Sequence, residues 1–201
     1  MNDAKSSIAD PTALGLFGLA MVTLVASSQK LGLTTGTSLV IPWAIFLGAA
    51  AQLVASFADA KKNNVFGATA FGAYAFFWFA MGMSWMEQGG VFGAKLAEGA
   101  DTRQLTVGFI GYLIFTLFMT VGATATNKVL LAIFVLIDFL FLGLTLYGLG
   151  IAPEFSHRLA GFSELGIALL SFYGSGANVL NHHFNRILLP IGKPLNLIAK
   201  G

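Results

Sequence analysis

The chain has 201 residues, of which 56% are hydrophobic and only 10% carry a charge. Because soluble domains carry charge on about a quarter of their residues, this composition predicts a protein whose surface is covered largely by lipid. The sequence has no cysteine, which excludes disulfides, thiol catalysis and cysteine metal sites, and its net charge of +2 is too small to indicate a nucleic-acid partner.

Six apolar stretches follow one another along the chain, and each approaches the length of about 20 residues that a helix needs to cross a bilayer. None alternates with the two-residue period of a barrel strand, so helices are expected. The loop between the third and fourth stretches is long enough to hold structure of its own. The sequence therefore predicts an all-α integral membrane protein, one six-helix transmembrane domain over residues 1–201, with spans at 13–29, 40–58, 65–86, 105–123, 129–150 and 159–180.

The positively charged residues predict how these spans are oriented. With six spans, seven lysines and arginines fall on the side of the two termini and four on the other side, which are Lys30, Lys95, Arg103 and Arg158. Since cytoplasmic loops carry the excess of Lys and Arg, both termini are expected in the cytoplasm. The protein is expected in the plasma (inner) membrane.

Polar residues recur at helical spacing on several spans. Gln52, Ser56 and Asp59 share one face of the second span, and Ser171 and Asn178 share one face of the sixth. Single Ser and Thr residues in membranes often bond back to their own helix or to a neighbouring helix. A pathway lined by these faces is the second interpretation, and both stay open at this point.

Asp138 lies in the middle of the apolar run LLAIFVLIDFLFLGLTL. An unpaired carboxylate there would cost several kcal/mol, so the group is expected to be protonated, paired or in contact with water. It is a candidate pore-lining or proton-carrying acid. The alternative is a neutral carboxyl that is hydrogen-bonded to a neighbouring helix or subunit.

The sequence offers no catalytic set. His182 and His183 are adjacent, so they point in different directions on a helix, and His157 falls on the opposite side of the membrane. No histidine lies within a span, where a haem would need one. We therefore expect no metal, no cofactor and no enzymatic activity.

Three local patterns point to one family. They are DPTALGLFGLA at the first span, NNVFGATAFGAYAFFW at the third, and NVLNHHFNRILLPIG at the end of the sixth. Together they resemble the acetate uptake transporter family, whose bacterial members include acetate–succinate permeases, and the resemblance covers essentially the whole chain. It implies a channel or transporter for acetate and related small monocarboxylates, with succinate as a further substrate, assembled as a homohexamer with one pore per protomer.

The resemblance also implies positions for the pore. An apolar constriction is expected at Leu19, Tyr74 and Ile137, where Leu19 replaces a Phe that is usual in the family. A carboxylate needs hydrogen-bond donors on either side of such a constriction. The candidate donors that line the pore are Gln52, Ser171, Tyr173, Asn178 and Asn181. The family pattern gives no role to Asp138, which stays a pore-lining candidate because of its carboxyl at mid-span.

The cytoplasmic mouth is expected at Asp10, Pro11, Leu14 and Gly15, where the family usually has Asn before the proline. Asp followed by Pro is a typical helix start, since the side chain caps free N–H groups and Pro suits the first turn. A carboxylate there partly cancels the positive helix end that would attract an anion.

A urea or amide channel is the alternative within transport, because a neutral permeant needs fewer donors. Competition between acetate and urea would separate the two. The expected partners are a small carboxylate, the lipid bilayer and further copies of the chain.

Overall fold

The computed structural model describes residues 9–197, and all regular structure within them is helical. Residues 1–8 and 198–201 of the predicted domain lie outside the described residues. A short helix, α5, lies in the long loop that the sequence singled out. In chain order the helices are α1 (Thr12–Lys30), α2 (Val40–Trp43), a π-helical segment (Ala44–Ala51), α3 (Gln52–Lys61), α4 (Val65–Gln88), α5 (Ala94–Glu98), α6 (Arg103–Ala123), α7 (Lys128–Gly148) and α8 (Pro153–His183).

Within residues 9–197, five helices are long and apolar enough to cross a membrane. They are α1, the continuous helix Val40–Lys61 that comprises α2, the π-helical segment and α3, and then α4, α6 and α7. The chain is thus a multi-pass membrane protein of the predicted all-α class. The longest helix, α8, has 31 residues and includes Glu154, Arg158 and Glu164, which lower its hydropathy.

Three helices begin with a side-chain cap at the same side of the bundle. The Asp10 carboxylate accepts a hydrogen bond from the Thr12 N–H at 2.9 Å, as its place before Pro11 predicts. Asn64 accepts from the Gly67 N–H at the start of α4, and Asn127 accepts from the Leu130 N–H at the start of α7. Each cap satisfies a donor that a helix start leaves free.

The bundle has α1 packed between α8 and the π-helical segment, with α7 on the other side of α8 and α6 against α7. Helix α1 approaches the π-helical segment closely at Gly18, where a Cβ atom would overlap the Leu47 carbonyl oxygen. At Gly48 a Cβ atom would lie 2.7 Å from the Trp78 ring. These glycines let backbones approach closely, as small residues do between membrane helices.

Gly18→Val is therefore expected to force α1 away from the π-helical segment and to lower the yield of folded, monodisperse protein severalfold. Size-exclusion chromatography in detergent, followed by a thermal melt, measures this effect. Gly108→Val on α6 is the matched control, because a Cβ atom there has no neighbour within 4 Å. Equal behaviour of the two variants would contradict the close approach.

Candidate functional site

One cavity of roughly 470 Å³ extends into the bundle from the side where α1, α4 and α7 begin. Side chains of α1, α3, α4 and α7 form its walls, and residues at the end of α6 and Asn178 of α8 complete its rim. Along the start of the chain its lining begins at Asp10, just before α1, and ends at Leu19 of α1, which corresponds to a depth of about 14 Å at 1.5 Å per residue. The cavity thus reaches about halfway across a bilayer.

The rim of the cavity is polar. Asp10, Asp59, Asn64, Asn127 and Asn178 all line it. Since three of these residues cap helices, the positive ends of α1, α4 and α7 converge on the rim. The carboxylates of Asp10 and Asp59 oppose this positive potential.

Asp10 is the acidic group of the rim that precedes the first helix. Burial of its carboxyl opposes ionisation, but hydrogen bonds with Thr12 and the positive charge of Lys62 outweigh this and hold its pKa below the usual value. The Asp10 side chain is therefore ionised at neutral pH and contributes a full negative charge to the rim.

The inner end of the cavity is apolar apart from one amide. Leu19, Tyr74 and Ile137 are the deepest lining residues on α1, α4 and α7, and they are 7%, 5% and 3% exposed. Gln52 is the deepest on α3. The three side chains for which the sequence predicts a constriction are thus brought together, and we call them the floor. On α4 and α7 the next turn brings Phe77 and Phe141 into T-shaped contact, which closes the bundle beyond the floor.

Tyr74 is held in place by both its ring and its hydroxyl. The ring contacts those of Phe115 and Phe134, and it stacks on Tyr112. The hydroxyl lies 2.9 Å from Thr116 Oγ1 on α6. Because Thr116 donates its own hydrogen to the Tyr112 carbonyl at 2.7 Å, Tyr74 is the donor to Thr116.

Gln52 follows directly after the π-helical segment. Helices of this type are rare overall, but where they occur they often lie at functional sites. Its Nε2 donates to the Gly48 carbonyl at 2.6 Å, which leaves its Oε1 without a hydrogen-bond partner although the side chain is fully buried. An orphaned acceptor is costly in an apolar environment. The Gln52 Oε1 is thus available to a ligand that can donate a hydrogen bond.

Several other candidate residues lie outside the lining of the cavity. Tyr173 donates to the Pro190 carbonyl at 2.8 Å, and Asn181 binds the backbone of Leu188 and Leu189. These hydrogen bonds hold segment 185–197 against the end of the bundle. Part of the motif LNHHFNRILLPIG therefore has a structural role. Ser171 is fully buried in α8, and its hydroxyl has no hydrogen-bond partner.

The mouth motif divides between the rim and the helix packing. Asp10 lines the cavity, whereas Pro11 is buried and its carbonyl accepts from the Gly15 N–H at 3.0 Å. Gly15 packs against the Phe71 ring, and Leu14 is 43% exposed on the outer face of α1.

Asp138 also lies outside the cavity lining. Its Oδ2 accepts a hydrogen bond from the Thr120 hydroxyl of α6 at 2.7 Å, and its Oδ1 is buried without a partner. Within the described part of the chain no group of three or more His, Cys, Asp or Glu residues is placed to hold a metal.

Asp59, Phe71 and Phe134 also line the cavity; the sequence placed Asp59 on one face with Gln52 but not among the candidate pore-lining residues, and it did not mark Phe71 or Phe134. The spacing of Asp59 from Gln52 was the available signal, since both were predicted on one face of the second span. Phe71 and Phe134 are two of many phenylalanines in the chain, and nothing in the local sequence marks them as pore-lining.

A bundle of membrane-crossing helices around a deep cavity with a polar rim and an apolar floor defines the class of small-solute channels and transporters. The chain belongs to the GPR1/FUN34/yaaH family, whose profile matches residues 1–193. This finding confirms the family to which the three sequence motifs pointed.

Individual relatives agree with this assignment. The chain is 31% identical over 190 residues to the succinate-acetate/proton symporter SatP of Escherichia coli K12, which covers 94% of this chain and 98% of that protein. It is 29% identical over 199 residues to acetate permease A of Emericella nidulans, covering 91% of this chain and 65% of that protein. The solved structure of the bacterial acetate channel SatP matches with a TM-score of 0.85 at 29% identity, over 92% of this chain and 100% of that one.

Proposed function

We propose that this protein transports acetate and related small monocarboxylates, with succinate as a further substrate, through the cavity and past the floor. The observation that carries the proposal is that Leu19, Tyr74 and Ile137, from three different helices, meet at the inner end of one cavity. The relatives named for acetate and succinate transport support the choice of substrate.

The chemistry of the cavity favours entry as an anion and passage as the undissociated acid. Helix ends at the rim attract a carboxylate, although Asp10 and Asp59 weaken this attraction. The floor offers apolar surface to a methyl group and the free Gln52 Oε1 to an acid O–H. A dewetted apolar constriction impedes hydrated ions, so a proton bound to the substrate would lower the barrier.

We further propose that α8 is the sixth membrane crossing. Its 31 residues extend about 46 Å, and the helix runs antiparallel to α7 and ends beside the cavity rim at Asn178. Its ionisable residues lie mainly in its first half, where Glu164 is paired with Lys30. The distribution of Lys and Arg then supports cytoplasmic termini in the plasma (inner) membrane, with the rim open to the cytoplasm.

A homohexamer with one pore per protomer is the assembly that we propose. The exposed apolar face of α6, at Val107, Ile114 and Phe118, supports contact with lipid or with a neighbouring copy. Since the cavity lies within a single chain, each protomer would conduct by itself. Light scattering of the detergent-solubilised protein measures the number of copies.

Acetate uptake by proteoliposomes across a pH series tests the proposed function. A rate that follows the undissociated fraction indicates passage of the acid, and a rate that follows the anion without proton uptake indicates an anion channel. Vesicles that stay impermeable to acetate and to other short-chain acids would rule the function out.

Leu130→Trp is expected to lower acetate uptake about tenfold or more, because Leu130 lines the cavity on α7 and a larger ring would fill it. Val135→Trp on the same helix is the matched control, since Val135 is 37% exposed and lies outside the lining. Measured uptake that falls equally in the two variants would contradict the assigned pathway. Each tenfold change in rate corresponds to about 1.4 kcal/mol of barrier.

A urea or amide channel is the second candidate, and the amides of Asn64, Asn127 and Asn178 at the rim favour it. A neutral amide would pass without pH dependence. Excess urea that inhibits the uptake of labelled acetate, together with urea flux of its own, would favour this second function.

A further inference from the structure

The carboxyl of Asp138 lies half-buried in the middle of a membrane-crossing helix, and within residues 9–197 no cation is bonded to it. Its Oδ2 accepts from Thr120 at 2.7 Å, and its Oδ1 is buried without a partner. The ion pairs of residues 9–197 join other groups, namely Lys30 with Glu164, Arg103 with Asp101, and Arg158 with Glu154. An ionised carboxylate is strongly disfavoured in such surroundings, and a neutral carboxyl is not.

The groups that face Asp138 carry no positive charge. On α6 the facing groups are the hydroxyls of Thr116, Thr120 and the ionisable Tyr112. On α4 the facing ionisable residue is Tyr74. The acidic residue of the facing part of α8, Glu164, has its carboxylate bonded to Lys30 of α1. Any change of charge at Asp138 is therefore uncompensated by its surroundings.

Two short connections join Asp138 to the floor of the cavity. Asp138 directly follows Ile137, one of the three floor residues. Thr120, which donates to Asp138, lies one helical turn from Thr116, which accepts from the Tyr74 hydroxyl. Two of the three floor side chains are thus linked to this one carboxyl, Ile137 as its neighbour in the chain and Tyr74 through the two threonines.

We propose that Asp138 is a proton-binding residue that controls passage through the floor, an inference that rests on the proposed transport function. A proton from water adds to a carboxylate oxygen of Asp138, and the same proton returns to water on release. Neutral Asp138 permits the substrate carboxyl to pass the floor. Ionised Asp138 repels a carboxylate at the floor, because two like charges interact strongly away from water, so that only the undissociated acid then passes.

Asp138→Asn is the central test, because the amide keeps the shape and an acceptor for Thr120 but cannot bind or release a proton. Acetate uptake by the variant and by the original protein is measured at each pH, so that ionisation of the substrate cancels in the ratio. The ratio of variant to original is expected to rise about tenfold or more from acidic to alkaline pH. Asp138→Glu restores a titrating carboxyl and is expected to keep the ratio within about twofold of unity. A flat ratio for Asp138→Asn overturns the proposal.

A second readout does not depend on transport. The infrared C=O stretch of a protonated carboxyl is followed in the reconstituted protein as pH is raised. Part of this band is expected to disappear in Asp138→Asn and to persist to higher pH in Thr120→Val, which loses the hydrogen bond that favours the ionised form. Thr124→Val is the matched control, because Thr124 bonds to Val121 of its own helix.

The two readouts separate the two proposals. If the band titrates as expected and no short-chain acid crosses the membrane, the transport function fails and proton binding at Asp138 stands. If acetate crosses but the band is identical in Asp138→Asn, the proton-binding role fails and transport stands. A variant that only dissociates the oligomer, with the band unchanged, would instead identify Asp138 as a subunit contact and would overturn the proposal.

Discussion

Lys30→Met is expected to destabilise the protein by about 3–5 kcal/mol, because it leaves a buried carboxylate without its partner. The Lys30 ammonium lies 2.9 Å from Glu164 Oε2, and the two side chains are 14% and 2% exposed. This pair joins the end of α1 to the first half of α8. The loss is measured as a lower melting temperature of the detergent-solubilised protein.

Two comparisons make this experiment specific. Arg158→Met breaks an exposed ion pair with Glu154 on the surface of α8 and is expected to cost at most about 1 kcal/mol. The double variant Lys30→Met with Glu164→Leu removes both charges and is expected to recover most of the stability, since an apolar pair avoids the cost of desolvation. A double variant that melts as low as Lys30→Met would show that packing, and not the unpaired charge, dominates.

The same ion pair marks the limit of sequence-based reasoning about this fold. Apolar length alone places helices along the chain, because lipid demands internally bonded backbone. Nothing local pairs Lys30 with Glu164, which lies 134 positions further along. The π-helical segment was equally inaccessible, since AIFLGAAA has the composition of an ordinary membrane helix.

The site was predictable to the extent that its residues sit in motifs. GAYAFFW fixes the register of Tyr74, and the family resemblance adds Leu19 and Ile137. All three line one cavity in the structure, and their role as a constriction stays a prediction. Tyr173 and Asn181 were selected because they can donate hydrogen bonds, but in the fold segment 185–197 takes up those bonds. Donor chemistry alone does not distinguish a lining residue from one that binds backbone.

Tyr74→Ala is expected to raise acetate uptake about tenfold and to admit larger acids such as lactate, because it removes one of three side chains from the floor. The ring is 5% exposed and contacts three aromatic neighbours. Its removal is expected to cost about 3–5 kcal/mol of stability, so uptake must be normalised to folded protein.

Tyr74→Phe separates the ring from the hydroxyl. It keeps the ring at the floor and loses only the hydrogen bond to Thr116, at a cost of about 1 kcal/mol. Uptake of acetate relative to lactate is expected to match that of the original protein. Phe76→Ala is the control for aromatic loss on α4, since that ring is 61% exposed and lies outside the cavity.

These three variants test whether the floor limits the rate. If Tyr74→Ala left both uptake and selectivity unchanged while remaining folded, the step that limits transport would lie beyond the floor, where Phe77 and Phe141 close the bundle. If Tyr74→Phe alone relaxed selectivity, the hydroxyl and its bond to α6 would matter more than the ring. Selectivity that relaxes in Tyr74→Ala and not in Tyr74→Phe is the result that a steric, apolar floor requires.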